Sequence, residues 1–226
     1  MIPLFKTHFS IGKSILRIDD VDRICTDNNI EEVFLVEDTM CGFPEAFRTF
    51  KDRLRFGIRF SIYNEDLSEE SESKMIAFAN GDEGAKELYS LYTQQFDKKI
   101  TQPWDHTKHL QYVVPFYDSF LHKNLTTFSN CMPNIPDEIN FFVEDSNLPF
   151  DQFILKSVKR CSYTSPKRKI IKVKSIYYEN KEDVEAFQTY KCICNRQPGR
   201  QASLSNPRLD HFGSDRFCIE AWKEDK

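Results

Sequence analysis

Two acids side by side, Glu37 and Asp38, close the apolar run EVFLVED, and a histidine, His8, closes LFKTH. Carboxylates and an imidazole at strand ends can bind Mg²⁺ or Mn²⁺ or move protons. Neighbouring strand residues point to opposite faces, so only one of the two acids would serve a given site. Lys6 and Lys13 flank His8 and would repel a divalent ion. A second arrangement, Asp105, His106 and His109 in QPWDHTKHL, has the H-x-x-H spacing that shares one helix face and suits zinc. It offers no third ligand, and a loop with two exposed histidines accounts for the same residues. Cys192 and Cys194 form a C-x-C without a second pair, a weak zinc signal. The sequence has no Gly-rich phosphate loop and no G-x-S-x-G turn.

Composition narrows the setting. A chain of 226 residues with 40% hydrophobic and 29% charged residues can bury a substantial core. Its net charge of −4 argues against a dominant electrostatic grip on nucleic acid and leaves room for a local basic patch. The strongest basic run is SPKRKIIKVK, residues 165–174. No stretch reaches the ~20 apolar residues of a membrane span, and MIPLFKTHFS is too short an apolar run for a signal peptide. Seven cysteines, odd in number and scattered, read as reduced structural thiols and point to the cytoplasm.

The elements that must position these groups alternate in type. LFKTHF reads as a strand, followed by a helix around 14–29. EEVFLVED (31–38) is a buried strand and FPEAFRTFKDR (43–53) a helix with a Phe43, Ala46, Phe47, Phe50 stripe. RFGIRFSIYN (55–64) is a strand, EDLSEESES (65–73) an acidic solvated loop, and KMIAFAN (74–80) a strand. A helix follows at 81–96, then strands at 110–117 and 138–145. Residues 149–161 are a helix, 169–178 a strand and 181–194 a helix. Residues 195–226 read as an irregular tail. Some seven β-then-α units imply one domain, residues 1–226, with a parallel sheet and helices outside it. Strand ends then carry His8, Glu37, Asp38, Tyr63, Asn64, Asn80, Tyr117, Asp118, Glu144, Asp145 and Tyr178.

Six stretches, in order, resemble one family. They are LFKTHFSIGKSIL, EVFLVEDTMCGFPEAF, KMIAFANGDEGAKELYSLY, FFVEDSNLPFDQ, IIKVKSIYYENKEDVEAFQTYKCI and DHFGSDRFCIEAW. Together they resemble the polymerase-and-histidinol-phosphatase (PHP) domain that opens bacterial DNA polymerase III alpha subunits. The resemblance implies a distorted (β/α)7 barrel. In that family His, Asp, Glu and Cys at strand ends bind up to three metal ions. Here the first-strand His position holds Lys6, and the Asp after it Lys13. The Asp-His pair of the second strand falls on Glu37 and Asp38. The third-strand Glu falls on Arg59, the fourth-strand His on Lys74, the fifth-strand Cys on Tyr117. The final Asp and His fall on Ser175 and Tyr177, while Glu144 keeps the acid of its strand. Four ligands have become cations, which donate where a metal needs an acceptor.

The resemblance therefore implies a stand-alone, metal-free relative with no catalytic residue, no cofactor and no membrane association. By family analogy it is a replication accessory or docking module for a polymerase or proofreading exonuclease, and a lone domain of this kind suggests a phage. One alternative is a phosphoesterase or 3′–5′ exonuclease rebuilt on His8, Glu37, Asp38, Asp118 and Glu144. Another is a single-stranded DNA binder using Lys6, Lys13, Arg59, Lys74 and Lys174 in the former cleft. In the leading reading His8 hydrogen-bonds Asp38 or another strand-end acid. Lys6, Lys13, Arg59 and Lys74 form salt bridges with Glu37, Asp38 and Glu144.

Overall fold

A computed structural model describes residues 1–64, 72–126, 131–163, 167–194 and 214–226. The fold is mixed α/β, and seven strands hydrogen-bond in sequence order to close a barrel. The chain divides into two compact units, residues 1–54 with 174–226, and residues 55–173.

The first unit contains β1 (Ile2–Phe5), α1 (Ile18–Asp27), β2 (Val33–Glu37) and α2 (Phe43–Phe50). β1 and β2 are parallel, Leu4 opposite Phe34 and Phe5 opposite Leu35. α1 buries Ile18, Val21, Ile24 and Cys25, one stripe at helical spacing, and the Asp20 carboxylate caps its start by accepting the Arg17 N–H at 2.9 Å. The expected helix over 14–29 is thus shorter, because residues 7–16 form a turn instead. In that turn Gly12 has φ 71°, a left-handed conformation that suits glycine. Gly42 sits under Phe9, where a Cβ would come within 2.6 Å of the ring.

The same unit holds the end of β7 (Ile170–Ile176), α6 (Val184–Cys194) and α7 (Ile219–Asp225). The Lys6 N–H bonds the Ile176 carbonyl at 3.2 Å, so the first strand lies beside the last. α7 corrects the irregular tail: Ile219, Ala221 and Trp222 are buried, and Trp222 Nε1 donates to the Met1 carbonyl at 3.1 Å. Residues 195–213 of that tail lie outside the described residues.

The second unit holds β3 (Leu54–Tyr63) from Arg55 on, β4 (Glu72–Ala79), α3 (Gly81–Asp97), β5 (Leu110–Val114), α4 (Phe120–Thr126), β6 (Asn140–Val143), α5 (Asp151–Tyr163) and the start of β7. Here the structure departs from uniform βα repetition. β3 and β4 are antiparallel from Gly57–Phe78 to Tyr63–Glu72, and β4 is antiparallel to β5 as well. Parallel pairing returns between β5 and β6 and between β6 and β7. The cause is chain length: residues 64–71 are too few for the crossover of a dozen or more that a parallel neighbour requires. Glu72 and Ser73, expected in the acidic loop, belong to β4, and the loop's residues 65–71 lie outside the described residues. The reversal also moves Asn80: it follows the end of β4 that pairs with the start of β5, not the end carrying Lys74. Among the described residues no helix is long and apolar enough to cross a membrane.

Candidate functional site

The end of β2 delivers Glu37 into the turn after β1. Glu37 is fully buried, and its carboxylate accepts from three groups. Thr7 donates its N–H at 2.8 Å and its hydroxyl at 2.6 Å to Oε1, and the Ser10 hydroxyl bonds Oε2. Ser10 Oγ in turn accepts the Asp38 N–H at 2.7 Å. Burial pushes the Glu37 carboxyl up to about 7, against the Ser10 and Thr7 hydrogen bonds and the Lys6 charge, which pull it down. Asp38 turns the other way and binds the Lys6 ammonium at 2.6 Å, Nζ to Oδ1. The Lys6 side chain is 5% exposed and the Asp38 side chain 31%. Ser14 Oγ lies 2.6 Å from the Lys6 carbonyl and 2.8 Å from that of Tyr177, which fastens the far end of the turn.

Three residues of this unit are placed differently from expectation. His8 does not bond Asp38: its Nδ1 is buried without a hydrogen-bond partner, and its ring lies 4.4 Å from that of Phe9. The backbone explains this, since the His8 N–H is fixed on the Leu16 carbonyl at 2.8 Å while Asp38 is taken by Lys6. Lys13 is exposed rather than paired, because the Gly12 turn carries it out to solvent. Lys174, expected to face an anion, is fully buried with its ammonium 2.9 Å from Asp225 of α7. Tyr177 belongs to the core, stacked between Phe187 and Phe217 at 6.0 and 5.6 Å. Ser175 is buried on the same strand as Lys174.

The second unit holds the remaining positions. Arg59 on β3 reaches Asp118, Nη1 to Oδ2 at 3.3 Å, an acid just past β5. Among the acids named for such pairing, Glu37 and Asp38 are thus bound within the first unit, and Arg59 takes Asp118. His122 Nδ1 accepts the Asp118 N–H at 3.1 Å, which makes the ring the neutral Nε2–H tautomer. Burial lowers its pKa, with Arg59 and Lys123 adding to the effect and Asp118 and Asp151 opposing it. Lys74, at the start of β4, bonds Ser61 Oγ at 2.6 Å across the antiparallel pair. Burial resists ionisation of Glu72 there, but the hydrogen bond from Lys123 at 2.9 Å, the Lys74 charge and Ser61 together hold its carboxyl below the ordinary range.

Tyr117 is buried and donates to the Asp151 carboxylate at 3.0 Å. Burial raises its pKa, and the charges of Glu144 and Asp151 raise it further. Asp151 also accepts the N–H groups of Ser146 and Leu148 at 3.0 and 3.1 Å, so this pair fixes the entrance to α5. Glu144 is buried at the end of β6. His106 and His109 are both exposed, His106 ending a 3-10 turn.

The residues that sequence reasoning missed are partners: Thr7 and Ser10 for Glu37, Asp151 for Tyr117, Ser61 for Lys74; Asp118 was named at its strand end, but not as the partner of Arg59. Thr7 and Ser10 had one signal, two hydroxyls three residues apart in a turn after a strand, able to fold onto one acceptor. A divalent metal does not fit these residues. Lys6, Arg59 and Lys74 only donate, Asp38 is held by Lys6, and both oxygens of Glu37 are occupied. Among the described residues no three His, Cys, Asp or Glu side chains are grouped to hold a metal ion.

No family model matches the sequence, and no curated protein matches it. Among solved structures it is similar to a chain from Bifidobacterium adolescentis titled a "putative metal-dependent phosphoesterase". The identity is 17%, the TM-score 0.31, and the match covers 41% of this chain and 32% of that one. The likeness thus spans about a third of that chain's length, and it carries no argument about activity.

Proposed function

We propose that this chain is a non-catalytic PHP-like protein, a replication accessory that docks onto a polymerase or its proofreading exonuclease. The observation that carries the reading is Lys6. Its buried ammonium sits 2.6 Å from Asp38, where the resemblance has a metal-binding histidine. A cation bonded to the acid fills a coordination place and repels a divalent ion. Glu37 supports the same reading, since a carboxylate satisfied by a peptide N–H and two hydroxyls is built into the fold rather than poised for substrate. The docking role and its partners rest on the family analogy. The rebuilt phosphoesterase is disfavoured because two of its proposed acids, Glu37 and Asp38, are engaged by Thr7, Ser10 and Lys6.

Metal analysis of the purified protein, with turnover assays on p-nitrophenyl thymidine 5′-phosphate and single-stranded DNA in Mn²⁺, tests the proposal. No stoichiometric Mn, Zn or Fe is expected, and no turnover. Stoichiometric metal, or Mn²⁺-stimulated turnover lost in Asp38→Ala, would overturn it in favour of the phosphoesterase. Co-elution with a polymerase or exonuclease subunit of the same host tests the docking half.

A further inference from the structure

The segment from Asp151 to Lys172 carries seven cations and one acid in a chain whose net charge is −4. The acid, Asp151, is buried and engaged with Tyr117. α5 packs through Ile154 and Val158, each 1% exposed, and turns Lys156, Lys159 and Arg160 to solvent. These three lie at i, i+3 and i+4 and so share a face. On the same side Phe153 is 55% exposed, with Lys156 Nζ 5.7 Å from its ring centroid, and Phe150, just before the helix, is 51% exposed.

The entry of β7 carries further cations. The Arg168 guanidinium bonds the carbonyls of Cys161 at the end of α5 and Ile139 before β6, and stacks over Phe141 at 5.0 Å. That side chain binds the last turn of α5 to the entry of β7, where Lys169 and Lys172 are exposed. Of the acids around this segment, Glu138 pairs with Lys167 and Asp137 with Arg168, while Asp145 lies exposed near the start of α5. Lys156, Lys159, Arg160, Lys169 and Lys172 make no ion pair with any described residue. The helix macrodipole accounts for a cation in the last turn, Arg160, but not for Lys169 or Lys172.

From the five unneutralised cations and two exposed rings on one continuous segment we infer that α5 and the entry of β7 bind single-stranded nucleic acid. The cations meet phosphates, and Phe153 and Phe150 offer π-faces to bases, the combination that sequence-tolerant single-strand binding uses. An anionic membrane fits less well. A helix lying on a bilayer inserts an apolar face, and the continuous apolar face of α5 is already buried. The inference is independent of the docking role, and it places the basic surface on α5 rather than on Lys6, Arg59 and Lys74.

The test is fluorescence anisotropy of a labelled 20-nucleotide oligo(dT) titrated with the full chain at 50 and 200 mM NaCl. Binding is expected to weaken steeply with salt. The triple variant Lys156→Ala/Lys159→Ala/Arg160→Ala is expected to lose roughly tenfold or more in affinity at 50 mM salt, and its log K against log salt slope to be shallower by about 2. Phe153→Ala should weaken binding severalfold and leave that slope unchanged. Lys98→Ala, an exposed lysine on another segment, should bind as wild type. No binding by the wild-type chain at 50 mM salt, or equal binding by a triple variant whose thermal melt is unchanged, would overturn the inference. So would binding to phosphatidylserine vesicles, lost in the triple variant, without binding to oligo(dT).

Discussion

The turn around Glu37 and the β3–β4–β5 ends around Arg59 both satisfy polar side chains by internal pairing, but they do so in different dielectric settings. Glu37 has no exposure, and its partners Thr7 and Ser10 are equally buried. The three bonds to the Glu37 carboxylate are all among buried groups, so removing that acceptor strands its donors. Arg59 is 10% exposed, but its partner Asp118 is 30% exposed, and Glu72 and Lys123 are 38% and 22% exposed. Water screens that set and can replace a lost partner. Similar polar residues thus form a rigid knot in one unit and a solvated network in the other.

The largest expected effect belongs to the knot. Glu37→Ala leaves the Thr7 N–H and two hydroxyls without their acceptor and should destabilise the fold by about 3–5 kcal/mol, a fall of roughly 10 °C in melting temperature. A loss under ~1 kcal/mol in a chemical melt would show that water enters the turn.

Next is the pH dependence of the same residue. Well below pH 4.5 Glu37 is protonated folded and unfolded alike. Between 4.5 and about 7 the unfolded chain gives up this proton while the folded chain keeps it, so its contribution to stability falls as pH rises and levels off above 7. Glu37→Gln removes this titration. The stability of the Glu37→Gln variant relative to wild type should rise by about 3 kcal/mol between pH 4 and 8, at ~1.4 kcal/mol per pH unit of displacement. A constant difference across that range would mean Glu37 ionises as freely folded as unfolded.

Lys6→Met comes third. It leaves Asp38 one-third exposed, and should cost about 2 kcal/mol at neutral pH. Arg59→Ala is the smallest, about 1 kcal/mol, still beyond the ~0.5 kcal/mol expected for exposed Lys98→Ala. Urea melts of all three decide the comparison. An Arg59→Ala loss exceeding that of Lys6→Met would reverse the ranking of the two regions.

The strands were legible because each is an apolar run bounded by polar residues, and the cores of β2, β3, β5, β6 and β7 fall inside the expected stretches. Direction was not legible from apolar content: KMIAFA is buried on both faces and reads the same parallel or antiparallel. The eight residues between Tyr63 and Glu72 did hold the answer, since they are too few for a crossover. α4 and α7 were missed because a seven-residue helix repeats its amphipathic pattern too few times to stand out from its surroundings. Within the site, the pairing of Lys6 and Arg59 with acids was foreseeable from their type. Which acid each finds was not, because partner choice depends on backbone geometry such as the Gly12 turn that turns Lys13 outward.

The reversed β4 also bears on how the protein is made. β3, β4 and β5 are joined by short connections or by α3, and their pairings lie close in sequence, so this meander can form as soon as residue 114 is available. The first unit cannot be completed so early: β1 waits for the carbonyl of Ile176, and Lys174 waits for Asp225. On a ribosome adding ~5–20 residues per second, the N-terminal strand stays without its β7 neighbour for roughly 9–34 seconds after synthesis. During that interval the exposed edge of Ile2–Phe5 is where the nascent chain is open to chaperones, proteases and mispairing.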